Sequence, residues 1–184
     1  QRFRVMFENA GIGIALVGMD RRPLEANAAL SEMTGYTPEE FFQKNGLELS
    51  YSEDAEIGLA ELQDVLEGKL NTYQIEKRYV RKNGQVYWVR LTNSVVRGTD
   101  GKLQYFVTMV EDIDEKKRMQ ERIRESEARF RAMYDNAAVG MAIMGIDRRI
   151  VGMNQVAAEM TGYPVEEMVG VDPLFGYVTV DEDL

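Results

Sequence analysis

The segment Arg2–Phe41 is written a second time, 127 residues later, as Arg129–Met168, and 20 of the 40 aligned positions are identical. The shared residues include Asn9/Asn136, the block Asp20-Arg21-Arg22 against Asp147-Arg148-Arg149, and Asn27/Asn154. They also include Glu32-Met33-Thr34-Gly35-Tyr36 against Glu159-Met160-Thr161-Gly162-Tyr163. So long a period is not that of a solenoid array, whose units run to about 20–50 residues. It is a folding unit duplicated whole, and the first copy must close on itself within roughly 110 residues, which is enough to bury a core. The second copy has counterparts only for the opening half of the first. Leu184 is therefore expected to be a boundary or a proteolytic end, not a natural terminus.

Within the first copy, "IGIALVGM" (12–19) is a short apolar run between glycine and a charged turn, and it reads as a buried strand paired with "LEAN" (24–27). Asn27 is a good N-cap for "AALSEMTG", and Gly35 a good stop. Pro38 followed by Glu39 and Glu40 opens another short helix, because proline suits the first turn and acids suit the positive end of the helix dipole. In "AEIGLAELQDVLEGK" (55–69), Ile57, Leu59, Leu62 and Leu66 stand at helical spacing, with Gly68 to end the helix. Three strands follow, "TYQIEKRYVRK", "QVYWVRLTNSVV" and "LQYFVTMVEDI". Asn83-Gly84 and Asp100-Gly101 mark the hairpins between them. Two strands, helices, then a three-strand meander is an α+β order.

From Asp114 the chain loses glycine and proline and becomes densely charged: "DEKKRMQERIRESEARFRAMY". Met119, Ile123, Ser126, Phe130 and Met133 step by alternating fours and threes, the seam of a coiled coil. Two heptads are too short to hold as a lone helix in water. The seam therefore either pairs with a second copy or packs on the first domain. The basic run Lys116-Lys117-Arg118 is interleaved with glutamates and reads as a solvated helix face.

Composition excludes whole classes of function. A net charge of −9 argues against binding a phosphate backbone, which wants a basic face. Zero cysteines remove disulfides, thiolate nucleophiles and zinc thiolates. Zero histidines remove the usual general base, the commonest metal ligand and any phosphohistidine acceptor. The densest acid cluster, Glu111–Glu115, reads as a helix start, and "GIG" (11–13) lies before a strand, not between strand and helix as a phosphate loop would. No apolar run reaches the roughly 18–20 residues a membrane helix needs. The segment is read as cytoplasmic and without direct membrane insertion, leaving room for an anchor elsewhere in a parent protein.

The order of elements and three stretches together resemble the PAS sensory domain: "NAALSEMTGYTPEE" (27–40), "EKRYVRKNGQVYWV" (76–89) and "YFVTMVEDIDEKK" (105–117). The resemblance covers one copy over residues 1–113, then a helical linker over 114–128, then the first part of a second copy over 129–184. It implies a five-stranded antiparallel sheet of order 2-1-5-4-3 with helices on one face around a cavity. The signal would leave through Asp112, Ile113 and Asp114, the counterpart of the family's Asp-Ile-Thr exit. Asp114 replaces the threonine there and is expected to cap the helix. The implied function is a sensory input module of a larger, bacterial signalling protein, such as a sensor histidine kinase or diguanylate cyclase. The alternative is a ligand-free dimerisation and relay module. Neither reading makes this segment an enzyme. The partners implied are a second copy, meeting through the seam Met119, Ile123, Phe130 and Met133 and through PAS surfaces, and a C-terminal effector domain.

By resemblance and strand parity, the cavity face should present Tyr73, Ile75 and Tyr79 from the first meander strand. The second should add Tyr87, Val89, Leu91 and Asn93, and the last Phe106, Thr108 and Val110. The polar groups among them either meet a ligand or bond one another in a closed core. Lys77 shares their parity. It either meets an anion or, the preferred reading, snorkels to water. Trp88 should face the other way, onto an N-terminal helix or a partner. The family's cysteinyl-flavin adduct has no cysteine here, and haem has no histidine. Methionine can ligate haem iron, but the 11 methionines read as core filler. No cofactor is the first expectation, with a small molecule or a non-covalently held flavin left open.

Overall fold

The computed structural model describes residues 2–174, so the last ten residues of the second copy lie outside it. The chain divides into two compact units, one reaching to residue 119 and the other starting at residue 120. The first contains α1 (Arg2–Glu8), β1 (Gly13–Val17), β2 (Pro23–Ala26), α2 (Ala28–Thr34) and α3 (Pro38–Phe42). A 3₁₀ turn (Ser52–Asp54), α4 (Leu59–Leu66), β3 (Thr72–Val80), β4 (Val86–Arg97) and β5 (Leu103–Asp112) follow. The five strands form one antiparallel sheet in the order β2-β1-β5-β4-β3, as the resemblance implies. β1 lies between β2 and β5, with Ala15 opposite both Ala26 and Thr108.

Asn27 organises the entry to the helical layer. It is fully buried. Its Oδ1 accepts from the amides of Ile14 (2.8 Å) and Leu30 (3.2 Å). Its Nδ2 donates to the carbonyls of Phe7 (2.9 Å) and Ile12 (3.0 Å). One side chain therefore caps α2 and ties it to β1 and to the end of α1. At the other end of α2, Gly35 takes a left-handed conformation and its amide returns to Ser31 O. α3 opens with a reciprocal capping box between Thr37 and Glu40. Gly13 is needed for contact: a Cβ there would lie 2.7 Å from Leu30 Cδ1, so its absence lets α2 close on β1. The core beneath the helices gathers Ala15, Leu30, Phe41, Leu49, Tyr79, Tyr87, Val89, Leu91 and Val110.

The helix expected over 55–69 is shorter than its spacing suggests. It begins at Leu59, because Gly58 precedes it at φ 94°, a conformation that ends rather than continues a helix. Ile57 is left outside. The one buried residue of α4 is Val65, while Leu59 and Leu66 are exposed.

Helix α5 (Asp114–Asp135) leaves β5 across the single residue Ile113, itself buried. It runs on past residue 128, because Arg129–Asp135 is the second copy's counterpart of α1, and α1 is helical too. The second unit continues with β6 (Ala142–Met144), β7 (Ile150–Met153), α6 (Gln155–Thr161) and α7 (Val165–Met168). Asn154 repeats the bonds of Asn27 atom for atom. Oδ1 accepts from Met141 N (2.8 Å) and Ala157 N (3.0 Å), and Nδ2 donates to Tyr134 O and Val139 O (both 3.0 Å). Even the strained turn is repeated: Arg21 and Arg148 sit at φ 64° and 65°.

Candidate functional site

A cavity of about 140 Å³ lies between the sheet and the helical layer of the first unit. Strand alternation puts rows of inward residues opposite one another across the sheet. Tyr73 faces Asn93, which faces Thr108; Ile75 faces Leu91, which faces Val110; and Lys77 faces Val89. Tyr73, Ile75, Tyr79, Leu91, Asn93, Phe106, Thr108 and Val110 all line the cavity. Val89 does not: it is fully buried in the core beside it. Tyr87 is also buried outside the lining, its hydroxyl without a partner and its ring beneath the Arg81 guanidinium at 3.7 Å. The opposite wall comes from α4 and the loop before it, where Ile57, Gly58, Leu59 and Leu62 contribute. Residues expected to form a helical core stripe there instead serve as cavity wall. Gly58 matters twice, since a Cβ at that position would lie 2.6 Å from Ile75 Cδ1.

The polar groups of this lining fall into two sets. Thr108 Oγ1 donates to Asn93 Oδ1 at 2.7 Å, so those two bond to each other. The hydroxyls of Tyr73 and Tyr79 make no side-chain hydrogen bond among the described residues. Burial pushes both phenols above their ordinary value. Lys77 does not snorkel to water. It is 5% exposed and lines the cavity, its ammonium 5.7 Å from the Tyr79 ring centroid. The loop before α4 and the start of that helix, Ile57 to Leu62, wall the cavity that Lys77 lines. Burial depresses the Lys77 ammonium, against an opposing pull from Asp54.

On the other face of the same strands the side chains are charged. Glu76 sits opposite Arg90, and Arg90 opposite Glu111. Arg90 donates to Glu76 Oε1 (2.8 Å) and to Glu111 Oε2 (3.0 Å). Glu76 Oε2 pairs with Lys117 of α5 at 2.6 Å, and the hydrogen bonds from Lys117 and Arg90 hold the Glu76 carboxyl below its ordinary value. The ammonium of Lys117 also lies 5.0 Å above the Trp88 ring. Trp88 thus meets the first turn of the exit helix rather than an N-terminal helix. Asp114 does not cap α5. The capping bond comes from Asp112, whose Oδ1 accepts the Asp114 amide (3.0 Å). Asp114 instead receives the Trp88 amide at 3.3 Å and pairs with Arg118 at 2.7 Å. Ile113 is pinned by its amide to Trp88 O at 3.0 Å.

Along α5, Met119, Ile123, Phe130 and Met133 are all exposed, and no residue of the helix is buried. Phe130 stacks on Tyr134 at 5.6 Å. Among the described residues there is no cluster of acids suited to a metal ion, and no helix is long and apolar enough to cross a membrane.

A five-strand sheet with a helix-walled cavity, and a helix leaving its last strand, defines a class of sensory modules. The family models agree: the PAS fold matches residues 23–110 and the PAS domain residues 128–183. The chain belongs to the PAS family and carries two such domains. It is 40% identical over 119 residues to the probable diguanylate cyclase DgcE of Escherichia coli K12, covering 65% of this chain and 11% of that protein. It is 27% identical over 139 residues to the sensor histidine kinase TmoS of Ectopseudomonas mendocina, covering 76% of this chain and 14% of that one. The chain thus spans only about a tenth to a seventh of these relatives. In fold it matches the crystal structure of a PAS domain from Colwellia psychrerythraea, with TM-score 0.57 and 17% identity over 62% of this chain and 96% of that one.

Strand parity places most of the lining, but the buried carboxylate of Asp54, outside the lining, is not legible in the sequence. This carboxylate is buried and accepts from Arg78 N (2.7 Å), Arg78 Nε (2.9 Å) and the guanidinium terminus (2.6 Å). Its partner is 24 residues away, and no local pattern announces the pair.

Proposed function

We propose that this chain is the sensory input segment of a larger signalling protein, such as a diguanylate cyclase or a sensor histidine kinase, and works in the cytoplasm. Its first PAS domain takes a small molecule into the cavity and passes the change to α5. The observation that carries this reading is the arrangement on β3. Lys77 and Ile75 face the cavity, while Glu76 between them grips Lys117 of the exit helix at 2.6 Å. A shift of β3 on filling the cavity pulls directly on the first turn of α5. The relay needs no catalytic group in this segment.

The volume supports a small ligand. About 140 Å³ is close to the roughly 150 Å³ apolar cavity that holds one benzene. A three-ring flavin is far larger, and haem would lack a histidine. Native mass spectrometry and an absorption spectrum of the purified chain test the reading. A retained small mass without a visible chromophore supports it, and a bound flavin or haem refutes the size argument.

A second reading is favoured by the seam on α5. Met119, Ile123, Phe130 and Met133 are apolar side chains left exposed on an otherwise charged helix, and they suit pairing with the same helix of a second copy. In that reading the segment is a dimerisation and relay element that binds nothing. A ligand-free mass spectrum together with a dimer in light scattering would favour it.

A further inference from the structure

The one cationic side chain buried in the cavity wall carries a charge that no hydrogen bond or ion pair among the described residues answers. Lys77 is 95% removed from solvent, and its ammonium makes no hydrogen bond or ion pair among the described residues. Its contact with the Tyr79 ring, at 5.7 Å, gives back less than the cost of taking a charge out of water. The opposite charge that pulls on it, Asp54, has both oxygens bonded to Arg78. The chain as a whole is acidic, with 31 acids to 22 bases, yet the lining holds Arg21 and Lys77 and no aspartate or glutamate. Arg21 likewise makes no side-chain hydrogen bond or ion pair among the described residues. The hydroxyls of Tyr73 and Tyr79 add two donors with no partner. Apart from Asn93 and Thr108, which bond each other, the rest of the wall is apolar.

We propose that the cavity binds a short monocarboxylic acid, its carboxylate on Lys77 and its alkyl chain against Ile75, Leu91 and Val110. An ammonium brings three donors and a carboxylate four lone-pair positions, so the Tyr79 hydroxyl can take a second oxygen. Such a bond is charge-assisted on both sides and works at low dielectric, where it is strongest. The volume limits the ligand to about six heavy atoms, the size of butyrate. A larger acid, or a dicarboxylate whose second charge would meet the apolar wall, does not fit. This rests on the sensory reading above and gives it a ligand class.

The test is isothermal titration of the purified chain with butyrate and with butyramide, which has the same shape and no charge, and with benzene as a purely apolar probe. Butyrate is expected to bind at least tenfold more tightly than butyramide, and Lys77→Met is expected to lose that preference. The inference is overturned if the amide binds as well as the acid. It is also overturned if Lys77→Met keeps the preference, or if none of acetate, propionate and butyrate binds. The acid–amide comparison uses the unaltered chain and so does not depend on how the variant folds. Benzene binding without carboxylate binding sinks only this inference, whereas a cavity that takes none of the three probes also removes the sensory reading.

Discussion

Replacing Asn27 by alanine should be among the most damaging single changes in the first unit. The side chain is fully buried and makes four hydrogen bonds, two as acceptor and two as donor, between 2.8 and 3.2 Å. Each is worth about 0.5–1.5 kcal/mol net, and the N-cap bond to Leu30 falls within the usual cost of about 1 kcal/mol for a lost cap. Because the half-buried backbone groups of Ile12 and Ile14 would lose their bonds to this side chain as well, the total should reach about 3–5 kcal/mol. That is a large part of the roughly 5–15 kcal/mol available to such a domain. The single tryptophan, Trp88, lies in the first unit and reports on its unfolding. In urea the Trp88 fluorescence midpoint should fall sharply in Asn27→Ala. It should hold in Asn154→Ala, which breaks the matched set of bonds inside the other unit. A loss under about 1 kcal/mol for Asn27→Ala, or an equal shift in both variants, would show that the hub does not hold the domain as described.

Three further outcomes follow. Burial holds Lys77 below its ordinary value of 10.5, so between the two values the unfolded chain carries more protons and stability rises with pH. Lys77→Met should abolish that rise in thermal melts approaching pH 10, and an unchanged slope would count against a buried ammonium. Asp54 is held below 3.8 chiefly by its hydrogen bonds from Arg78, so its contribution is present above that value and is lost as pH falls through the lower folded one. Asp54→Asn should cost about 2–4 kcal/mol at pH 7 and flatten the acid limb of the stability profile. Ile123→Asp combined with Phe130→Asp should turn a dimer into a monomer in light scattering, and an unchanged mass would refute the seam.

The meander was readable because alternation over nine to twelve residues leaves little choice of face: Tyr73 and Ile75, Leu91 and Asn93, and Phe106 and Val110 share the cavity wall. The duplication, too, shows directly in the sequence, and the caps at Asn27 and Gly35 follow from local chemistry. What local chemistry cannot give is what a side chain meets from elsewhere. Lys77 had the right parity, but whether its stem reaches water depends on how α4 and the preceding loop roof the sheet. Trp88 could be assigned to the outer face without revealing that Lys117 would cover it, because that contact depends on the direction in which α5 leaves. The start of α4 turned on Gly58, whose close approach to Ile75 is a tertiary fact. The full role of Asn27 was partly legible, since the same asparagine stands at the same place in both copies, and so was that of Gly13, matched by Gly140.

In the proposed relay the cavity and the exit helix are coupled through β3. Amide chemical shifts of the isotopically labelled chain, recorded while butyrate or benzene is added, test it most directly. Any probe that moves the amides of residues 72–80 should also move those of residues 113–118, and Lys117→Ala should weaken the second response while leaving the first. Cavity amides that shift while the helix start stays still would contradict the relay.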